Sequence, residues 1–249
     1  MTVRSRMIVR SPQGRDTHYL WTTIALALAT FGGFWFTYFG PRIAGTYPTV
    51  SAAVHVHGWS FFGWYLLLPL QAAFMHTRRV QLHRTLGWAS VALASLMVAT
   101  GLLVIGVQMQ IAASSAEPTF FTFFGLMVFA TLVLFAGFYG AALWLRRNGA
   151  YHKRFMLVAS AAGTGAAVFR LMSAFVGQVM WVAPVGILAT NLFIVWGIVH
   201  DYRRDQRVHP AYVVGLVACV TLELAGWLLT PTPVGAALAW VGRVGAVLY

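Results

Sequence analysis

Carboxylates are nearly missing from this chain of 249 residues: Asp and Glu number 5, against 17 Lys and Arg. Charged residues make up 9% of it, where a soluble globular domain carries about 25%. That shortage excludes a water-soluble fold. The only cysteine, Cys219, lies in an apolar run, so there is no disulfide framework and the redox compartment is not indicated. No GxSxG, Walker loop, GxGxxG or HExxH spacing occurs. Clustered desaturase-type histidine boxes are absent too, and no lysine lies in a span where a retinal Schiff base would need one. The familiar serine-hydrolase, HExxH, nucleotide-binding and retinal signatures are therefore absent.

What is abundant is apolar. Hydrophobic residues are 59% of the chain and its mean hydropathy is +0.74. A chain of this length has room for about seven spans of roughly 20 residues. Net charge +12 and a pI near 10.9 would suit nucleic acid, but the distribution points elsewhere. Of the 17 basic residues, 14 fall in four places: Arg4 to Arg15, Arg78 to Arg84, Arg146 to Arg154, and Arg203 to Arg207. Arg42, Arg170 and Arg243 are the rest. This is positive-inside topology, with a lipid bilayer and no nucleic acid as partner.

Three apolar stretches end in an Arg-Arg pair followed by a histidine: Arg78-Arg79 to His83, Arg146-Arg147 to His152, and Arg203-Arg204 to His209. Paired arginines mark a helix leaving lipid on the cytoplasmic side. The pattern predicts three helical hairpins, a weak internal repeat, after a first helix. The expected spans are Leu20–Phe39, Gly58–Met75, Leu86–Ala112, Phe120–Leu145, Phe155–Val176, Trp181–Val199 and Ala211–Leu229. The expectation is thus one all-α domain over residues 1–249, a seven-helix bundle in a cell membrane. Residues 1–18 form its cytoplasmic N-terminal segment, and 235–249 an interfacial tail outside. Tyr38, Tyr47, Trp59, Trp144, Trp181 and Trp227 stand where headgroups hold aromatic rings.

Ionisable groups inside spans point to function or to costly pairing. Arg170 lies about 22 Å along its helix from Phe155, in the outer half, and Glu223 about 17 Å up the last helix. With Asn191, His57 and His55 they define an expected outer polar pocket. His55 and His57 are two apart, so a helix turns them to different sides. Arg170 is expected to meet Glu223, Asn191 or an anionic group such as a quinone carbonyl or lipid phosphate; a bare ion pair or a snorkelling Arg is the structural alternative.

At the other face, His83 and His152 each occupy a first helical turn on separate hairpins. That suits bis-imidazole ligation of a b-type haem, with Arg84, Lys153 or Arg154 for its propionates. The small-residue run Ala161 to Ala167 would leave room for the macrocycle, or serve close helix packing. His83, His152, His76 and His200, with Asp201 and Asp205 nearby, form the alternative metal set.

The motifs His55-Val-His57-Gly58, His83-Arg84-Thr-Leu86-Gly87 and His152-Lys153-Arg154-Phe-Met156 leading to Arg170, with Trp181 and Asn191, resemble an uncharacterised family of bacterial multi-helix membrane proteins. The resemblance covers roughly residues 50 to 200 and implies no activity. Pro210 directly after His209 departs from the pattern. Three functional expectations follow: a redox protein holding haem or a quinone-like ligand; an accessory subunit of a larger complex, or a small-molecule transporter; and a metal-dependent membrane hydrolase.

Overall fold

The computed structural model describes residues 16–114, 118–177, 179, 181–237 and 240, and among these every regular element is helical. Helix α1 (His18–Phe34) passes through a wide π turn (Trp35–Phe39) into the short α2 (Gly40–Ile43). The long helices α3 (Ala52–His76), α4 (Val80–Ser114) and α5 (Pro118–Trp144) follow. After them come α6 (Gly149–Gly163), α7 (Gly165–Val176), α8 (Val182–Ala189), α9 (Asn191–Asp205) and α10 (Pro210–Leu229).

Five stretches are long and apolar enough to cross a membrane: His18–Ile43, Val80–Ile111, Thr122–Trp144, Val182–Asp205 and Pro210–Leu229. Taken as one span, the bent pair α6–α7 makes a sixth. The surface agrees, since Trp88, Trp144 and Phe175 are each at least 77% exposed. Large exposed apolar side chains of this kind suit lipid and not water. Tyr38, expected at a headgroup, is instead buried.

The turns explain the hairpins. Arg78 and Gln206 adopt left-handed backbone (φ 62° and 54°), which ends a helix and lets the chain reverse. The Asn148 side chain accepts the amides of Ala150 and Tyr151 and caps α6. His209 Nδ1 accepts the amide of Ala211, with Pro210 in the first turn of α10. His209 is thus a helix cap. The basic segments around Arg154 and Arg204 meet at one end of the bundle, where Arg204 pairs with Asp16, Lys153 stands over the Tyr19 ring (4.4 Å) and Tyr151 meets His209 (4.5 Å).

The core lies between α1, α3, α5, α6 and α10 around Phe62, Trp64, Tyr65, Phe135, Val158 and Tyr212. The expected span Phe155–Val176 is not straight: it bends by 44° at Thr164. The Ser160 carbonyl there accepts the Tyr65 hydroxyl (2.7 Å) and lies 2.8 Å from Thr164 Oγ1, and such side-chain competition for a helix carbonyl bends the helix. The expected N-terminal segment falls outside the described residues save for 16–18, and the expected tail save for 235–237 and 240.

Candidate functional site

The first turn of α1 and the last two turns of α9 build a polar corner of the bundle. Three of the chain's 5 carboxylates stand there: Asp16, Asp201 and Asp205. The His18 and His200 rings stack at 4.0 Å with planes 10° apart. Asp16 Oδ1 accepts the His18 amide (3.0 Å) and lies 3.3 Å from His200 Nε2, while Arg204 holds its other oxygen. Burial pushes the Asp16 carboxyl up, but the His18 amide and the charges of His200, Arg204 and Lys153 outweigh it and hold the group below the usual carboxylate range. Next to it, Arg154 grips Asp201 with two bonds of 2.8 Å, both side chains being more than nine-tenths buried.

From this corner a groove of about 770 Å³ runs between α1 and α9. Asp16, His18, His200 and Arg204 form its polar end. Trp21, Ile24, Ala25 and Leu28 repeat at helical spacing along α1, and with Trp196 of α9 they make the rest apolar. Leu28 stands about 15 Å above His18 by helical rise. His18 is 7% exposed, and its Nε2 is buried without a hydrogen-bond partner, as is His200 Nδ1. One end therefore offers two imidazoles backed by a carboxylate, and the other a surface for a tail.

The expected outer pocket does not assemble as one site. Asn191 Nδ2 donates to Glu223 Oε2 at 2.7 Å. Arg170 reaches neither; among the described residues its single hydrogen bond goes to the Ala166 carbonyl, and its guanidinium lies over Phe34 (4.7 Å) and Phe124 (6.0 Å). His55 pairs with the Tyr38 hydroxyl (3.2 Å) and His57 with the Thr100 hydroxyl (3.1 Å), on different sides of α3 as their spacing requires.

His83 and His152 do come together, with ring centroids 6.2 Å apart and planes 83° apart. Two imidazoles sharing one metal, at about 2 Å per metal–nitrogen bond, have centroids about 6 Å apart. His152 Nδ1 meets the Ala142 carbonyl at 2.8 Å, which leaves Nε2 as its lone-pair nitrogen. The surroundings nevertheless do not fit a haem. The small-residue run is filled: Ala161 and Ala162 are buried, and a methyl on Gly163 would stand 3.0 Å from the Tyr65 hydroxyl and 3.4 Å from Phe135. Arg154 and Lys153 turn to Asp201 and Tyr19, away from any propionate. The Gln71 amide, oriented to accept the Gly87 amide, donates to His83 Nδ1 at 2.6 Å, so the proton of that ring sits on the nitrogen a metal would need. Nor do His83, His152, His76 and His200 converge; among the described residues no three His, Cys, Asp or Glu side chains form a metal-holding group.

His18 was missed in the sequence. Its signal was its place beside Asp16 at the mouth of the first apolar run, in a chain where any carboxylate is rare. A bundle with several apolar helices is compatible with a polytopic membrane protein. No family model matches the chain, and neither does any curated protein or solved structure.

Proposed function

We propose that the chain is a multi-pass protein of a bacterial inner membrane that binds a quinone-like molecule in the α1/α9 groove and exchanges a proton with it. The observation that carries this reading is the buried, unpartnered His18 Nε2 at the polar end of an otherwise apolar groove. A quinone carbonyl accepts a hydrogen bond from an imidazole N–H, and the hydroxyl of the reduced form donates to an imidazole lone pair. When the hydroxyl passes its proton to His18 Nε2, the quinol is left as its anion, and the Asp16 carboxylate, 3.3 Å from the His200 ring that stacks on His18, stabilises the His18 imidazolium through space. The isoprenoid-like tail lies along Trp21, Ile24, Leu28 and Trp196. Haem has no part in this reading.

The N-terminus is cytoplasmic and the C-terminus periplasmic, because 14 of 17 basic residues fall at four sites that alternate with the apolar stretches. Helix α3, 25 residues or about 37 Å long, supplies the seventh crossing. A cysteine placed near Arg147 that reacts only from the periplasm overturns this orientation.

Ligand binding is tested by titrating the detergent-purified protein with a short-tailed benzoquinone and following tryptophan quenching, since Trp21 and Trp196 line the groove. Saturable quenching is expected, weakened at least tenfold by Ala25→Trp, which fills the groove. Quenching that does not saturate, or that Ala25→Trp leaves unchanged, sinks the proposal.

A non-enzymatic accessory role is the second reading, supported by the structural use of Arg154 and Asp201. Co-purification with a larger complex, together with no loss of that complex's activity in His18→Phe, favours it.

A further inference from the structure

We infer a second ligand site at the end of the bundle opposite the basic segments: a phosphate-binding site formed by Arg170 and Arg42 around Tyr47. Arg42 and Arg170 are two of the three basic residues outside the four clusters. The fold brings both to the same end of the bundle, since Arg170 stands over Phe34, Phe34 packs on Phe62, and Phe62 meets Tyr38, whose ring contacts Tyr47. The Arg42 guanidinium stands 5.8 Å from the centre of the Tyr47 ring. Burial raises the Tyr47 hydroxyl, Tyr38 adds to this, and the charges of Arg170 and Arg42 oppose it.

Neither arginine has a carboxylate partner among the described residues. Arg170 spends one N–H on the Ala166 carbonyl of its own helix. Its other neighbours are the faces of Phe34 and Phe124, which attract a cation but accept no directed hydrogen bond of full strength. One turn further along α7, the Ser173 hydroxyl is buried and also lacks a partner. A guanidinium in apolar surroundings with donors left over, a second guanidinium and an unused hydroxyl together call for an anion with several oxygens. The planar fork of Arg matches two phosphate oxygens at once. The phosphate belongs either to a headgroup of the facing leaflet or to a free anion.

The test is thermal unfolding of the protein in neutral detergent with three additions: phosphatidylglycerol, phosphatidylcholine of the same chain length, or inorganic phosphate. A lipid site gives a rise of about 4 °C or more with phosphatidylglycerol and little with inorganic phosphate, and a free-anion site gives the reverse. In either case Arg170→Gln and Arg42→Gln each lose at least half of the rise. Arg146→Gln, at the basic end, keeps it, which separates this site from general attraction of anionic lipid to the inner cations. No rise with either phosphate source, or a rise that Arg170→Gln and Arg42→Gln retain in full, overturns the inference. Should Arg170→Gln fail to fold, native mass spectrometry of Arg42→Gln decides. Loss of an anion that the unmodified protein retains supports the site, and equal retention refutes it.

Discussion

Asn191 donates its side-chain N–H to Glu223 at 2.7 Å, so this fully buried carboxyl is answered by an amide and not by Arg170. The two residues that meet lie 32 positions apart, on α9 and α10, and Asn191 also donates to the Leu188 carbonyl (3.1 Å) at the step from α8 to α9.

Asn191→Ala removes the one donor that Glu223 has among the described residues, and is expected to destabilise the fold by roughly 1–3 kcal/mol. The Arg170→Ala and Glu223→Gln double-mutant cycle should show coupling within about 0.5 kcal/mol of zero, because the side chains do not touch. Thermal unfolding in detergent measures both. A large coupling shows that the two groups meet after all.

The Arg154–Asp201 pair gives the opposite expectation. Breaking a buried, bidentate pair by Asp201→Ala leaves a guanidinium uncompensated and should cost roughly 3–5 kcal/mol. The double variant Arg154→Met with Asp201→Leu should recover most of that loss, since a well-packed apolar pair of similar volume is often as stable. Unfolding curves of the single and double variants make the comparison.

Acid should weaken the corner that Asp16 ties together. Its folded pKa lies below the value of the unfolded chain, so its contribution is fully present above about pH 4, the unfolded carboxyl range, and is lost as pH falls through the lower folded value. His209 acts in the same direction at higher pH: burial lowers its pKa, and the neutral ring that caps α10 is favoured. Its contribution fades as pH drops below about 6.5, where the unfolded imidazole takes up a proton. Melting temperature followed from pH 8 to pH 3 should show two declines. The upper one should shrink in His209→Asn and the lower one in Asp16→Asn.

At Gly33, α1 approaches α7 so closely that a methyl group would overlap the Ala167 carbonyl. Gly33→Ala is expected to destabilise by about 1–3 kcal/mol through overpacking, against the gain a Gly→Ala change gives in an unobstructed helix. Gly87→Ala, with nothing within 4 Å of the added methyl, is the control and should be neutral or slightly stabilising.

Much of the framework was legible because its causes are local. Arginine pairs, apolar length and turn residues each act within a few positions, and they foretold the helical class and the hairpins that end at Arg79, Arg147 and Arg204. The meeting of His83 with His152 followed from equal depth on separate hairpins. Partner choice was not legible, because depth along a helix says nothing of rotation about it. Arg170 and Glu223 stand at similar heights but face different neighbours. Likewise, nothing local to Arg154 or Lys153 announces that they turn toward α9 and α1 and so abandon the face that His152 shares with His83. The bend at Thr164 also escaped, since it depends on a tyrosine 99 positions away.

That bend sets the mechanics of the molecule. A straight rod carries a push at one tip to the other, whereas a rod jointed at Thr164 absorbs it at the joint. Below the joint, Arg154 bolts α6 to α9; above it, Gly33 lets α7 lie directly on α1. The groove near His18 and the paired arginines near Tyr47 sit at opposite tips of this jointed member. Occupancy at one tip should leave affinity at the other unchanged, so that the two ends operate as independent devices in one frame.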